Sequence, residues 1–363
     1  MLRYLLIFII VVHGLIHLLG FLKAFELASI EQLTQTIGKP MGLLWLVATL
    51  LFLVTGVTFL LNSQHWFWWA LTAVVLSQIL IFSSWQDAKV GTIANGIILV
   101  AAIVGLGTWS FENGFRKEVR AGLQRGVEIP AEILAESDLE HLPAPVQRYL
   151  RYTGAVGQPK VKNFRATFEG QMRKQGEEWF NFTSEQYNFF DEPERLFFMK
   201  ARVKGLPTAG YHAFKAGAAS MDIRVLSLIP VAHQDGELLR QAETVTLFND
   251  MCLMAPATLI DERIKWTAID KNTAKADFTN HDITISATLY FNEKGALVNF
   301  ISNDRYEVNV MQQLPFSTPV QGYQTLNNRQ VMRSGDAVWH YPEGEFVYGK
   351  FGLKSLDYNV ETF

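Results

Sequence analysis

The sequence predicts a membrane four-helix bundle followed by an α+β soluble domain, a curved antiparallel sheet with one packed helix. Three observations predict it. Four apolar stretches, each close to the roughly 20 residues that ~30 Å of hydrocarbon requires, crowd residues 1–111. Beyond Phe111 charged residues return at ordinary globular frequency, and from Val161 apolar residues recur at every second position. Among those alternating runs lies one stretch, 236–254, with a broad apolar face at helical spacing. The expected organisation is 1–111 for four transmembrane helices, 112–137 for an amphipathic juxtamembrane helix and linker, and 138–363 for a soluble strand-rich domain.

The spans are read at 4–22, 41–61, 66–82 and 91–111. They are helices because lipid offers no partner to an unpaired backbone polar group. Arg3 ahead of the first span suits a signal peptide, but no small-residue cleavage site follows it and three further spans do. Trp66, Trp68, Trp69, Trp85 and Trp109 stand at span borders, where amphipathic rings settle at headgroup level. The short connections make successive helices antiparallel neighbours. Arg3, Arg116, Lys117, Arg120 and Arg125 then fall on one side and Lys23, Lys39 and Lys89 on the other. The positive-inside bias puts both termini, and with them the soluble domain, on the cytoplasmic side of a bacterial inner membrane. Phe111, Phe115, Val119 and Leu123 continue every fourth residue beyond the last span, beside Arg116, Lys117 and Arg120. Such a stripe fits the headgroup zone of an anionic leaflet, or a fourth helix that simply runs on with a solvated basic face.

After a linker containing Glu128-Ile129-Pro130, Pro143 and Pro145 suit a helix's first turn and Gly154 its left-handed end, so a short helix is expected over 144–152. Strands follow at 164–172, 179–190 and 196–203. Residues 204–221, rich in Gly and Ala, read as a mobile cover over the sheet. The 236–254 helix carries Val245, Phe248 and Cys252 on its apolar side. A strand over 283–291 turns at Asn292-Glu293-Lys294-Gly295 and returns through 296–308, with further strands near 337–341, 345–351 and 355–360.

Four segments, LPAPVQRYLRYTGAVG from Leu142, ETVTLFNDMCLMAPATLID from Glu243, FISNDRY from Phe300 and GEFVYGKF from Gly344, resemble an uncharacterised bacterial family. Its members join a hydrophobic N-terminal membrane part to a C-terminal domain of unknown function. The resemblance implies no activity and no site residues. More loosely, the strand succession is similar to the lipoprotein-carrier fold, a curved sheet with helices on its concave side; that is an analogy of fold, from which function does not follow.

Composition narrows the chemistry. A net charge of −3 argues against nucleic-acid binding. The single cysteine, Cys252, precludes an internal disulfide and reads as a core thiol. No phosphate-binding loop, dinucleotide fingerprint, HExxH, nucleophile elbow or CxxC occurs. His13 and His17, four residues apart in the first span, share a face and could hold a metal ion or haem; the plainer reading has them bonded to Ser77, Gln78, Thr92 or Asn95. Glu243 and Asp250, two helical turns apart, and His281 are the candidate catalytic groups of a membrane-associated hydrolase. The carboxylates equally suit ion pairs with Arg240 or a facing arginine. Asp304-Arg305-Tyr306 is of the same grade. Phe168, Phe180, Phe182 and Phe189 are the candidate ligand-binding residues of a sheet cavity that takes a lipid or another hydrophobic molecule. No cofactor is specified by the sequence. The leading expectation is a membrane-anchored binding module; the alternatives are the hydrolase and a histidine-based metal or haem protein.

Overall fold

A computed structural model describes residues 2–126, 132–307 and 310–363. Glu128-Ile129-Pro130 and Val308 lie outside the described residues. The chain divides into two units, Met1–Asn113 and Gly114–Phe363.

The first unit contains α1 (Leu2–Ala24), α2 (Lys39–Leu60), α3 (Trp66–Ser83), the single turn α4 (Trp85–Ala88) and the start of α5 (Gly91–Gly126). α1, α2, α3 and α5 are long and apolar enough to cross a membrane. Ile10, Phe52, Phe67, Val74 and Ile98 fill the centre, while Leu5, Phe8, Leu50, Ile79 and Val100 face outward. Small residues let α1 and α2 approach closely. A Cβ at Gly14 would stand 2.7 Å from Phe52, and one at Gly20 2.3 Å from the Trp45 ring.

In the second unit α5 continues without a break to Gly126. α6 (Ala144–Tyr152) forms where its prolines place it, and Gly154 ends it at φ 68°. A meander follows: β1 (Asn163–Met172), β2 (Phe180–Phe189), β3 (Glu194–Val203), β4 (Leu206–Lys215), β5 (Ala218–Val225) and β6 (Ile229–Asp235). The long helix α7 (Glu237–Met254) comes next, and then β7 (Ile264–Asp270), β8 (Thr273–Asn280), β9 (Ile283–Phe291), β10 (Leu297–Glu307) and β11 (Gln312–Ser317). A separate hairpin, β12 (Tyr323–Leu326) with β13 (Arg329–Met332), precedes β14 (Ser334–Tyr341) and β15 (Gly344–Tyr358). Thirteen strands form one curved antiparallel sheet in the order β6-β5-β4-β3-β2-β1-β15-β14-β11-β10-β9-β8-β7.

The sheet bends around α7. Phe248 of the helix stacks on Phe278 of β8 and meets Phe300 of β10, while Asp250 bonds residues of β2 and β3 on the other wing. Almost the whole of α7 from Ala242 onward is therefore buried.

Three local expectations change. Residues 204–221 are not a cover but β4 and the first half of β5, joined by two-residue turns with Lys204-Gly205 and Ala216-Gly217 all at positive φ. Those turns match strand twist, so glycine there marks hairpins rather than a loop. The two terminal candidates, 345–351 and 355–360, merge into β15, which absorbs an extra residue, Lys354, opposite the Thr167/Phe168 step. Finally, the stripe offered to a leaflet surface is covered by the sheet. Phe115, Val119 and Leu123 are buried, and Phe115 stacks on Phe198 of β3.

Candidate functional site

Alternation along the central strands sorts their side chains. In β1, Phe164, Ala166 and Phe168 face α7; in β2, Phe180, Phe182, Ser184, Gln186 and Asn188 do. Phe189 has the opposite parity. It packs outside the sheet with its ring over the Gly122 position of α5 and beneath the Arg125 guanidinium, so it cannot line a site shared with Phe168 and Phe182. Phe168 and Phe182 are buried, and Phe351 of β15 closes over both at ring separations of 6.0 and 5.1 Å. Toward the end of the strands where Met172 pairs with Phe180 and Trp339 with Phe346, the cluster is rimmed by partly exposed Phe180, Tyr341, Phe346, Tyr348 and Phe351. A depression of about 640 Å³ opens beside Phe182, lined also by Glu169, Gln171, Thr183, Lys200 and Lys354.

At the other end of the inner face stands a charge cluster. Asp250 and Glu243 do converge, on Arg195 of β3 rather than Arg240. The Arg195 Nε donates to Asp250 Oδ2 at 2.8 Å and Nη1 to Glu243 Oε2 at 3.2 Å, with side-chain exposures of 9 % for Arg195, 5 % for Glu243 and 9 % for Asp250. Asp250 Oδ2 also accepts from Gln186 Nε2 at 2.6 Å and Asn188 Nδ2 at 3.1 Å. His212 of β4 holds Nδ1 3.4 Å from Glu243 Oε1. Burial pushes Glu243 up, but Arg195 and His212 outweigh it and hold the carboxyl at about 2. At Asp250 burial prevails over Arg195, Asn188 and Gln186, and the pKa is raised. Both carboxylates are buried and held by Arg195, which makes this a clamp between α7 and the sheet.

His281 does not join them. It sits at the β8–β9 turn with φ 55°, its ring against Gly217, while its neighbour Asp282 pairs with Arg240. Asp304 and Arg305 part company across the sheet. Asp304 accepts from the Ser286 backbone N–H and from Gln313, and Arg305 turns inward. There its Cζ lies 4.1 Å from the Phe316 ring centroid and 4.9 Å from that of Trp339, and Nη1 donates to the Tyr348 hydroxyl at 2.9 Å. Arg195 and His212 escaped the sequence reading, and Arg305 entered it only beside Asp304, because strand register alone carries them to α7. The odd parity of Arg195 beside Phe197, set against even parity in β2, was the available signal.

In the first unit, His13 Nε2 lies 2.9 Å from Asn95 Oδ1, and His17 Nε2 lies 2.9 Å from Ser77 Oγ. His17 Nδ1 is 2.8 Å from the His13 carbonyl, which accepts its proton. Asn95 Nδ2 donates to Gln78 Oε1 at 3.0 Å, and Gln78 Nε2 to Thr92 at 3.2 Å. His13 thus has partners from α3 and α5, and His17 from α3 and its own helix.

No curated protein matches the chain. Among solved structures, a LolA superfamily protein from Nitrosomonas europaea is similar at 10 % identity and a TM-score of 0.35, covering 62 % of this chain and 94 % of that one. A beta-barrel-like protein of the domain of unknown function DUF1849 from Brucella abortus is similar at 9 % identity and a TM-score of 0.18, covering 55 % and 98 %. The model of a family of unknown function, DUF6544, matches residues 132–351, more than half of the chain, and the protein belongs to that family.

Proposed function

We propose that the protein is a membrane-anchored binding module that takes a lipid or other hydrophobic molecule between the central strands and α7. The observation that carries the reading is the continuity of the inner aromatic cluster. It runs from buried Phe168 and Phe182 to the half-exposed rim of Phe180, Phe346 and Phe351, so an apolar chain entering at the rim exchanges ring–ring contacts for its own. Phe168 and Phe182 form the floor in this reading, and Phe180 the entrance. A hydrolytic role for Glu243 and Asp250 draws no support from the clamp, because Arg195 occupies both.

The test is on the full chain in a nonionic amphipol. An environment-sensitive apolar dye should bind with saturation and be displaced by extracted lipid, and Phe180→Ala should weaken it several-fold while leaving the thermal transition within a few degrees. Dye uptake that never saturates, with no lipid carried through purification, would refute the reading. Four helices of membrane-spanning length supply the anchor. The Lys and Arg bias supports a cytoplasmic second unit, so a reporter active only in the periplasm should be silent when fused after Phe363; a bright fusion reverses the orientation.

A further inference from the structure

The inner face carries a cation whose environment the Arg195 clamp does not explain. Arg305 lies at the edge of the aromatic cluster, its Cζ close to the rings of Phe316 and Trp339, and one of its five N–H groups is used on Tyr348. Its Nε is buried with no hydrogen-bond partner. Among the described residues no carboxylate stands within ion-pair distance of it. Glu243 feels its charge but is already engaged by Arg195 and His212. A planar guanidinium flanked by two rings, with donors to spare beside an apolar cluster, is suited to two oxygens of one anion.

We infer that Arg305 is an anion-binding residue that takes the carboxylate or phosphate head of an amphiphile whose chain lies along the aromatic cluster. The inference rests on the proposed function and narrows it from hydrophobic molecules in general to anionic ones. The rings of Phe316 and Trp339 lie against the fork, and the Tyr348 hydroxyl holds one corner of it. The buried Nε and the free edge then meet the head, whose charge replaces solvent at a cation half withdrawn from water.

The experiment uses the full chain in amphipol and measures displacement of the apolar dye by palmitate, hexadecyl phosphate and uncharged hexadecanol. Wild type should respond to the two anions at concentrations at least about tenfold below hexadecanol, a difference of roughly one charge-assisted contact. Arg305→Met should abolish that difference while hexadecanol displaces as before, and Arg305→Lys, which keeps the charge without the fork and guards against misfolding of the first variant, should retain only part of it. Inorganic phosphate at millimolar concentration should not displace palmitate. Equal potency of acid and alcohol on wild type, or a preference that survives in both variants, overturns the role of Arg305 while leaving the binding module intact. Competition by inorganic phosphate would assign the site to a free anion instead. Failure of all three chains to displace dye removes the parent reading and this one together.

Discussion

Arg195 shows how much a single position can decide here. It enters the interior only because two carboxylates, two amides and a histidine surround it, and replacing an ion cluster's centre leaves the remaining charges buried and uncompensated. Arg195→Met should therefore cost about 3–5 kcal/mol at pH 7.5. The pH dependence gives the sharper check. In the wild type Glu243 sits at about 2, below its ordinary 4.5, so its stabilisation is present above 4.5 and fades only as pH falls toward 2; it adds no slope between pH 5 and 7.5. Without Arg195 burial loses its largest opponent at both carboxyls, with only His212 and Arg305 left at Glu243 and Asn188 and Gln186 at Asp250, and both carboxyls rise. A raised carboxyl contributes stability below its ordinary value and loses it as pH rises through the folded value. The variant should thus melt closer to wild type at pH 5 than at pH 7.5. Thermal scans of both proteins at the two pH values decide it, and an equal deficit at each would show that Arg195 acts through packing and not charge. Glu243 and Asp250 were legible as one helix face seven residues apart, whereas their shared partner was not, because no local pattern ties β3 to α7.

Elements were legible in proportion to how strictly their surroundings constrain composition. A lipid-exposed helix has no freedom to include charge for some twenty residues, and four helices long and apolar enough to cross a membrane stand over the apolar runs, the last continuing to Gly126. α6 and α7 were readable from proline, glycine and a broad apolar face. Strands that carry large apolar residues on one face, such as β1, β2 and β9, announced themselves by alternation. β4 and β5 did not. Their outer positions include Ala209, Ala213, Ala218 and Ser220, on the face where Tyr211 meets Phe115 of α5, and a strand with so many small residues resembles a loop until its turns are recognised. The same blindness applied to the end of α5. A stripe of Phe115, Val119 and Leu123 predicts an apolar partner, but periodicity cannot say whether that partner is a leaflet or a sheet.

That ambiguity settles where the soluble unit begins. The family match starts at residue 132, yet the second unit starts at Gly114, and the segment between carries the helix that covers the outer face of β2, β3 and β4. Its contacts are both apolar and polar. Phe115 stacks on Phe198 at 5.3 Å, Arg125 pairs with Glu194 at 2.6 Å, and Glu118 accepts from the Tyr211 hydroxyl at 2.6 Å. Removing it would bare Phe189, Tyr187 and Phe198, which are buried now, and leave Glu194 without its guanidinium. Losing burial of Phe115, Val119 and Leu123 alone amounts to several kcal/mol at roughly 1.5–3 kcal/mol per side chain. For a unit of this size that corresponds to a fall in melting temperature of about 10 °C or more. A chain beginning at Gly114 should accordingly be monodisperse and melt cooperatively, whereas one beginning at Glu132 should melt at least that much lower and associate through its exposed aromatic face. Circular dichroism melts and size-exclusion chromatography of the two truncations provide the measurement. Equal melting temperatures and equal elution as monomers would mean that the terminal turns of α5 merely rest on the sheet, and the boundary would then belong near residue 132.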